Sequence, residues 1–572
     1  MPPRFSKELD RPISFEAEAP KYQKRTSPCE FNCPAGHAIQ RTIFLMQNNR
    51  FEEALENVKA KNPFPGVCGR VCFHPCEFSC NRKFYDDGIS VRALERAASD
   101  LADGSRTQKP KISEKTGKKI AIIGSGPAGM TCAYFSVLLG HDVLMFEASN
   151  VLGGIPRLCI PSHRLPKTVV DREIGEVLSL GIRARVSTKV GKDISFAEIV
   201  GGHDACLIAT GAWKEKSLSI PGIHLAESAL SFLNSVNKGE RPKIGGKVVI
   251  LGGGGVAFDC ASTARRLGAS EVSVLCLESR DKMVAVPEDI AQAEAEGITI
   301  HNLKTFSRIL STNERVNGIE CLHIRSFKFN QAGEVDADIV SGSGHILPAD
   351  TIIFALGTVP DLSFVNDVEE LVLNHLGALE VDPMTLMTPL QGVFAAGDVV
   401  AGYRSIAHAI GKGRRAAVAI DCYLTGKKMS EVTSISFDPI GNVVTGQCVP
   451  GENKNESPHV VMYNEISNLD YYEKATRAQM EQIDSSEAVA SFEEVNQGYR
   501  KEEALREASR CFHCGHCAMC GTCVEICPLD ILAMGVDGPE IAYPDECWHC
   551  GSCRINCPCS AVYYEFPLSM LI

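Results

Sequence analysis

The sequence predicts an α/β chain: two parallel-sheet units in the middle, a cysteine-bearing segment before them, and a small cysteine-rich α+β unit after them. Three observations predict it. A glycine-rich turn between strand and helix occurs twice, at residues 119–147 and 247–278. Of 25 cysteines, six fall between Cys29 and Cys80 and eleven between Cys511 and Cys559. The 572 residues suffice for several buried cores.

Composition excludes some classes. Lys+Arg 58 against Asp+Glu 70 leaves a net charge of −12 with no long basic run, so nucleic acid is not an expected partner. No apolar stretch approaches the roughly 18 residues of a membrane span. Met1 to Pro20 has no apolar h-region and carries acids among its bases, so a cytoplasmic location is expected.

The first element is Cys29-x3-Cys33-Pro34, followed by Cys68, Cys72, Cys76 and Cys80, each four apart, inside PGVCGRVCFHPCEFSC. Four-residue spacing would align thiols on one helical face, but Gly69 and Pro75 argue for a loop. In a long chain without a secretory leader, clustered cysteines point to metal rather than disulfides. A cluster closed by cysteines from two segments is expected here, the alternative being buried or zinc-bound thiols.

After a linker from Asp103 to Lys118, KKIAIIGSGPAGMTCAYFSVLLGHDVLMFEA reads as strand, turn, helix, strand. Gly124, Gly126 and Gly129 form G-x-G-x-x-G, with Ser125, Pro127 and Ala128 between them. Such glycines let the backbone approach a pyrophosphate at the helix N-terminus, and Glu147, ending the next strand, can accept from ribose hydroxyls. The run KVVILGGGGVAFDCASTARRLGASEVSVLCLESR repeats the pattern with Gly252, Gly254 and the small Ala257, Gly255 and Val256 lying between. Its acidic residue is Glu278. A carboxylate there binds a free 2′-hydroxyl and repels a 2′-phosphate, so NAD(H) is expected over NADP(H), with Arg280 the one neighbour that could reach a phosphate. DACLIATGA, DTIIFALGTVPD and GVFAAGDVV read as buried strands stopping where a nucleotide is approached, and a helix follows Gly397-Asp398 from about Ser405.

The last element holds two copies of C-x2-C-x2-C-x3-C-P, Cys517, Cys520, Cys523, Cys527 and Cys547, Cys550, Cys553, Cys557. In two-cluster ferredoxins the fourth Cys of each run reaches the other cubane. Cys517, Cys520, Cys523 and Cys557 are thus expected to hold one [4Fe–4S] cluster, and Cys547, Cys550, Cys553 and Cys527 the second. Paired zinc knuckles would use a longer gap. Cys511, Cys514 and Cys559 are left over, as packing thiols or alternative ligands. Phe566 to Ile572 is an apolar tail, either a docking peptide or a capped strand.

Together, NPFPGVCGRVC, IGSGPAGM, the stretch from Gly153 through IPSHRLPK, GGGGVAFDCASTARRLGA, SRDKM and GVFAAGDVV resemble the small subunit of NAD(P)H-dependent glutamate synthase and its relatives, including the N-terminal half of dihydropyrimidine dehydrogenase. The resemblance reaches about Leu424. It implies a helical iron–sulfur domain (1–112), then two interleaved dinucleotide-binding domains of the disulfide-reductase type: FAD-binding (117–240 and 345–428) and NAD(H)-binding (241–344). An extended polar linker (429–508) with a final amphipathic helix before Cys511, and a bacterial-ferredoxin-like domain (509–572), complete the expected division. The resemblance further implies FAD contacts from Gly154, Arg164, Gly397, Asp398 (on the ribityl chain) and Ser405. It implies an N-terminal [4Fe–4S] cluster on Cys33, Cys72 and Cys76 with Glu95 as carboxylate ligand. Relatives close a second cluster with an upstream C-x2-C that this chain lacks; Cys29, Cys68 and Cys80 remain for it, with the fourth ligand open. NADPH-using relatives carry an Arg pair where Leu277-Glu278 stands, and Gly255 replaces their usual Asn.

A hydride is two electrons, iron–sulfur clusters take one at a time, and a flavin does both, so a two-to-one electron converter is the expected function. With no second organic active site visible, partner oxidoreductase subunits or ferredoxin are expected in a hetero-oligomer. The alternatives are a glutamate synthase small subunit proper, a non-catalytic conduit, or an NADH-dependent disulfide reductase. The last requires a C-x2-C beside the flavin, whereas residues 124–401 hold only isolated cysteines.

Overall fold

Apolar residues at helical spacing decide the N-terminal region. In α1 (Ile39–Gln47) Ile39, Ile43 and Met46 are buried, and in α2 (Phe51–Lys59) Phe51, Ala54, Leu55 and Val58 are; each helix turns one stripe inward. α3 (Pro65–Val71) begins on a proline, whose missing N–H costs nothing at a first turn. α4 (Val91–Leu101) packs across α3 so closely that a Cβ on Gly69 would stand 2.5 Å from the Arg96 backbone. The computed structural model describes residues 21–22, 25–216, 219–330, 335–428, 432–437, 443–447, 459–466, 469–515, 517, 519–535, 538–543 and 546–563. The readings of Met1 to Pro20 and of the tail from Phe566 lie outside the described residues.

The central region follows in the order β1 (Lys119–Ile123), α5 (Pro127–Leu138), β2 (Asp142–Phe146), α6 (Lys167–Leu178), β3 (Arg183–Arg185), β4 (Ala205–Ile208), β5 (Glu227–Ser228), β6 (Lys247–Leu251), α7 (Gly255–Arg266), β7 (Glu271–Leu275), α8 (Pro287–Ala295), β8 (Thr299–His301), β9 (Thr351–Phe354), β10 (Val393–Ala395) and α9 (Ile406–Thr425). One parallel sheet has the order β10-β4-β1-β2-β3, the other β8-β7-β6-β9-β5. The chain leaves the first sheet after β4 and returns only at β10, so the second unit is inserted into the first. Central strands buried on both faces explain the uninterrupted apolar runs Ile120 to Ile123 and Val248 to Leu251. An antiparallel sheet spanning 304–347 fills the passage from β8 to β9. α9 is capped by Ser405 and stopped by left-handed Gly426.

The C-terminal unit is a two-stranded antiparallel pair, Leu532–Met534 with Pro539–Ile541, and two one-turn helices, Thr522–Glu525 and Ser552–Ile555. Strand Val562–Tyr563 pairs with Lys21–Tyr22, joining the two ends of the described chain.

The connector expected before this unit is packed rather than extended, and the amphipathic helix expected at its end is present. α10 (Lys501–Ser509) buries Ala504 and Ala508 against the N-terminal helices. Glu507, fully buried, accepts from the amides of Ser90 and Ala478, both at 2.9 Å, and pairs with Arg510 at 2.8 Å. Glu494 pairs with Arg70 at 2.7 Å and with Arg96 at 3.0 Å. Polar composition reads as solvent exposure only until the partners are seen; removing one member of such a buried pair costs about 3–5 kcal/mol. Among the described residues no helix is long and apolar enough to cross a membrane.

Candidate functional site

The first glycine turn is built by close contacts. A Cβ on Gly124 (φ +102°) would stand 2.5 Å from the Ala209 carbonyl oxygen, and one on Gly129 2.0 Å from that of Gly124. The first contact fixes the turn, the second lets α5 press on β1. Gly126 caps α5 with nothing within 4 Å of its missing Cβ, so the room a diphosphate needs lies open at the helix N-terminus. Gly154 (φ +58°) covers it from above, its Cβ position 2.8 Å from Gly126 Cα. Pro127 occupies the first turn of α5. Glu147 accepts from Ser125 N–H at 3.0 Å, Ser125 Oγ at 2.6 Å and Ser149 N–H at 2.7 Å. Its carboxylate therefore braces the loop.

Gly413 of α9 lies on Ala128, its Cβ position 2.3 Å from the Ala128 carbonyl oxygen, and this crossing brings Gly397 and Asp398 to the N-terminus of α5. Burial pushes the Asp398 carboxyl up, opposed by Arg404 and Lys412. Ser405 accepts from His408 N–H at 3.2 Å as the helix cap. The residues present fit a dinucleotide lying between α5 and β10.

The second turn repeats the design. A Cβ on Gly252 (φ +129°) would meet the Ala355 carbonyl oxygen at 2.5 Å, and Gly254 caps α7 with open space before it. Ala257 is fully buried under the turn, whereas Val256 is exposed. Glu278 folds back so that its Oε2 lies 2.7 Å from the Cβ position of Gly253, a glycine the motif alone does not single out. Arg280 sits on the exposed turn Arg280–Lys282, in a half-exposed ion pair with Glu294 at 2.7 Å. Arg164 bridges the two units: it pairs with Asp259 of α7 at 2.9 Å and Asp289 of α8 at 2.7 Å, and those carboxylates hold its guanidinium well above its usual range against the opposing effect of burial.

The cysteines sort into four sets. Cys33, Cys72 and Cys76 are electrostatic neighbours of one another, and Glu95 adjoins Cys33 and Cys72. Burial raises the Glu95 carboxyl to about 8, while Asn62 donates to its Oε1 at 2.7 Å. Cys68, grouped from the sequence with Cys29 and Cys80, instead lies buried in α3 beside Glu95 and Cys72. Cys29 and Cys80 line a different hollow together with Cys511 and Cys514. In the C-terminal unit Cys523 neighbours Cys557, Cys517 and Cys520, while Cys553 neighbours Cys547, Cys550 and Cys527, and the latter four line one hollow. Each set thus takes one cysteine from the other motif. Hydrogen bonding from Cys559 lowers the Cys557 thiol to about 6. Among the described residues no three such side chains close on a single-ion position. Four thiols around a hollow are the donor set of a polynuclear cluster.

The first thiol set is built against both nucleotide units. A Cβ on Gly411 of α9 would stand 2.0 Å from the Pro34 carbonyl oxygen, and the Phe73 ring comes 3.9 Å from the Cβ position of Gly255. Between 124 and 401 the cysteines Cys132, Cys159, Cys206, Cys260, Cys276 and Cys321 are buried, and no two of them stand in a C-x2-C spacing.

A family model described as pyridine nucleotide-disulphide oxidoreductase matches residues 118–413. A second, described as dihydropyrimidine dehydrogenase domain II, 4Fe-4S cluster, matches residues 15–107. The chain is 35% identical to the NADP(+)-dependent formate dehydrogenase subunit beta of Moorella thermoacetica, over 70% of this chain and 60% of that one. It is 32% identical to the NADPH-Fe(3+) oxidoreductase subunit beta of Geobacter sulfurreducens, over 85% and 75%. It is also 32% identical to the glutamate synthase [NADPH] small chain of Azospirillum brasilense, over 71% and 88%. These relatives overturn the expected preference for NAD(H), since each is named for NADP(H). The charge argument weighed Glu278 as a free carboxylate facing the ribose. In the fold that carboxylate lies against Gly253, as the Glu147 carboxylate lies against Ser125 in the first unit, and the cations Arg280 and Lys282 follow it on an exposed turn. A half-exposed ion pair such as Arg280–Glu294 is worth at most about 1 kcal/mol, little to give up for a phosphate.

Proposed function

The chain belongs to the pyridine nucleotide-disulphide oxidoreductase family, as a glutamate-synthase-small-chain-like flavoprotein with an N-terminal iron–sulfur domain, and from that premise we propose that it exchanges electrons between NADP(H) and iron–sulfur clusters through FAD, as the electron-transfer subunit of a larger oxidoreductase. The observation that carries the reading is the seating of the Cys33-Pro34 loop on Gly411 of α9, the helix that follows the Gly397-Asp398 turn. The loop that carries Cys33 thus packs on the helix next to the flavin-binding turn. A flavin bound there supplies the conversion of a hydride's electron pair into single electrons.

The residues divide the work by position. Gly124, Gly126, Gly129 and Gly154 admit the FAD diphosphate, Glu147 orders the loop and the ribose, and Asp398 faces the ribityl chain. Gly252, Gly254 and Gly255 admit the pyridine nucleotide, and Arg280 with Lys282 meets a 2′-phosphate. Arg164, through Asp259 and Asp289, holds the two units in register. Cys33, Cys72, Cys76 and Glu95 hold the N-terminal cluster, and the two crossed sets of the C-terminal unit hold a ferredoxin-like pair. A partner subunit would carry out the terminal chemistry, in line with the β-subunit and small-chain names of the relatives. Anaerobic stopped-flow mixing of the FAD-loaded chain with NADPH tests the reading: the flavin band should bleach faster with NADPH than with NADH, and a band unmoved by either nucleotide would sink it.

A further inference from the structure

Two cysteines from each end of the chain meet in one hollow. Cys29 follows the described N-terminal strand, Cys80 closes the C-x3-C run of the helical domain, and Cys511 and Cys514 belong to the segment after α10. With Gln40, Arg82 and Phe512 they form part of its wall. Cys29 has Cys80 and Cys511 as electrostatic neighbours, and Cys514 has Cys80.

We propose that Cys29, Cys80, Cys511 and Cys514 ligate a further [4Fe–4S] cluster, so that the segment following the connector completes a site begun in the N-terminal domain. It extends the electron-transfer reading and rests on it only for the identity of the metal group.

Local backbone supports the ligand role. In Cys511-Phe-His-Cys514 the residue before the second thiol, His513, is left-handed at φ +49°, and its N–H donates to Cys511 Sγ at 3.5 Å. Met519 in the Cys517–Cys520 pair has φ +60° and donates to Cys517 Sγ at 3.3 Å. His549 in the Cys547–Cys550 pair has φ +52°. A non-glycine residue at positive φ is uncommon, so the same strained loop three times is a shared ligand geometry. The buried guanidinium of Arg82 lines the wall, stacked on Phe512 at 4.8 Å and paired with Asp86 at 2.6 Å.

The pair is held in place from both sides. Gln40 Nε2 donates to the Cys514 carbonyl at 3.1 Å, and His513 Nε2 meets Gln47 Oε1 at 2.9 Å. Arg82 donates to the Arg510 carbonyl, while Arg510 pairs with Asp86 at 3.0 Å. Beyond it, Gly515 N–H donates to the Cys559 carbonyl at 2.6 Å, so the hollow adjoins the C-terminal unit.

The test is metal and sulfide analysis of the anaerobically purified full chain. Four clusters give about sixteen irons per chain; about twelve, with the other three sets filled, overturns the proposal while leaving the electron-transfer reading intact. Fewer than about twelve irons with FAD bound would instead count against that reading's other clusters. In Cys511→Ser/Cys514→Ser, iron should fall by about four while FAD content holds, and Cys29→Ala should erase the same paramagnetic signal. Unchanged iron in either variant, or one zinc released from the site, overturns the cluster.

Discussion

At residue scale, Glu95 and Arg280 carry the sharpest expectations. Glu95 is buried beside Cys33 and Cys72 with its carboxyl raised to about 8 and anchored by Asn62. Glu95→Gln keeps an oxygen donor and should retain the N-terminal cluster, whereas Glu95→Ala should shift or abolish its EPR signal. An unchanged spectrum in the Ala variant would remove Glu95 from the ligand set. Losing a charge-assisted hydrogen bond costs about 1.5–3 kcal/mol, so Arg280→Ala should raise KM for NADPH roughly 10- to 100-fold and change KM for NADH far less. Steady-state kinetics with both nucleotides reads this. The glycine fingerprints were legible because backbone contact permits no substitute at Gly124 or Gly252. Coenzyme choice was misread because the Glu278 carboxylate was weighed above Arg280, and Lys282 on the same exposed turn was not counted.

At the scale of elements, two contacts lock helices to the nucleotide units. Glu173 of α6 accepts from the Gly66 and Val67 amides at 2.5 and 3.1 Å, capping α3, which lacks a side-chain cap of its own. Burial raises its carboxyl from 4.5 to about 7. The folded state therefore binds the proton more tightly than the unfolded one, so this group's contribution is complete below about pH 4.5 and declines as pH rises through about 7. Glu173→Gln should flatten that part of the Tm-versus-pH curve; a curve of unchanged slope would show that the proton resides elsewhere. Gly413→Val would drive side-chain atoms into the Ala128 backbone, a strain of about 1–3 kcal/mol or more. FAD content measured after purification should fall with it. The strands and helices of the two nucleotide units followed from period and turn chemistry, whereas the Cys68–Cys80 segment, read as a loop from Gly69 and Pro75, forms the helices Pro65–Val71 and Pro75–Phe78. The packing of 469–510 did not follow either, because its bonds, such as Glu507 to Ser90 and Glu494 to Arg70, join residues hundreds of positions apart.

For the whole molecule, one sheet unit is inserted in another, and the N-terminal region contacts α9 of the first through Pro34 and α7 of the second through Phe73. The C-terminal unit is tied back by the strand pair of Lys21–Tyr22 with Val562–Tyr563 and by α10. Spacing alone had paired the C-terminal thiols by crossover, since each C-x3-C-P sends its last cysteine past a turn. It had not paired Cys511 with Cys29, because no local pattern records where two ends of a chain meet. The central claim is that flavin and clusters share electrons. We would reduce the anaerobic holoprotein with dithionite, remove the excess, add NADP+ and count NADPH formed per chain. A two-electron flavin alone yields about one. The account predicts more than one, with cluster EPR signals fading as NADPH appears; one or fewer, with those signals persisting, would contradict it.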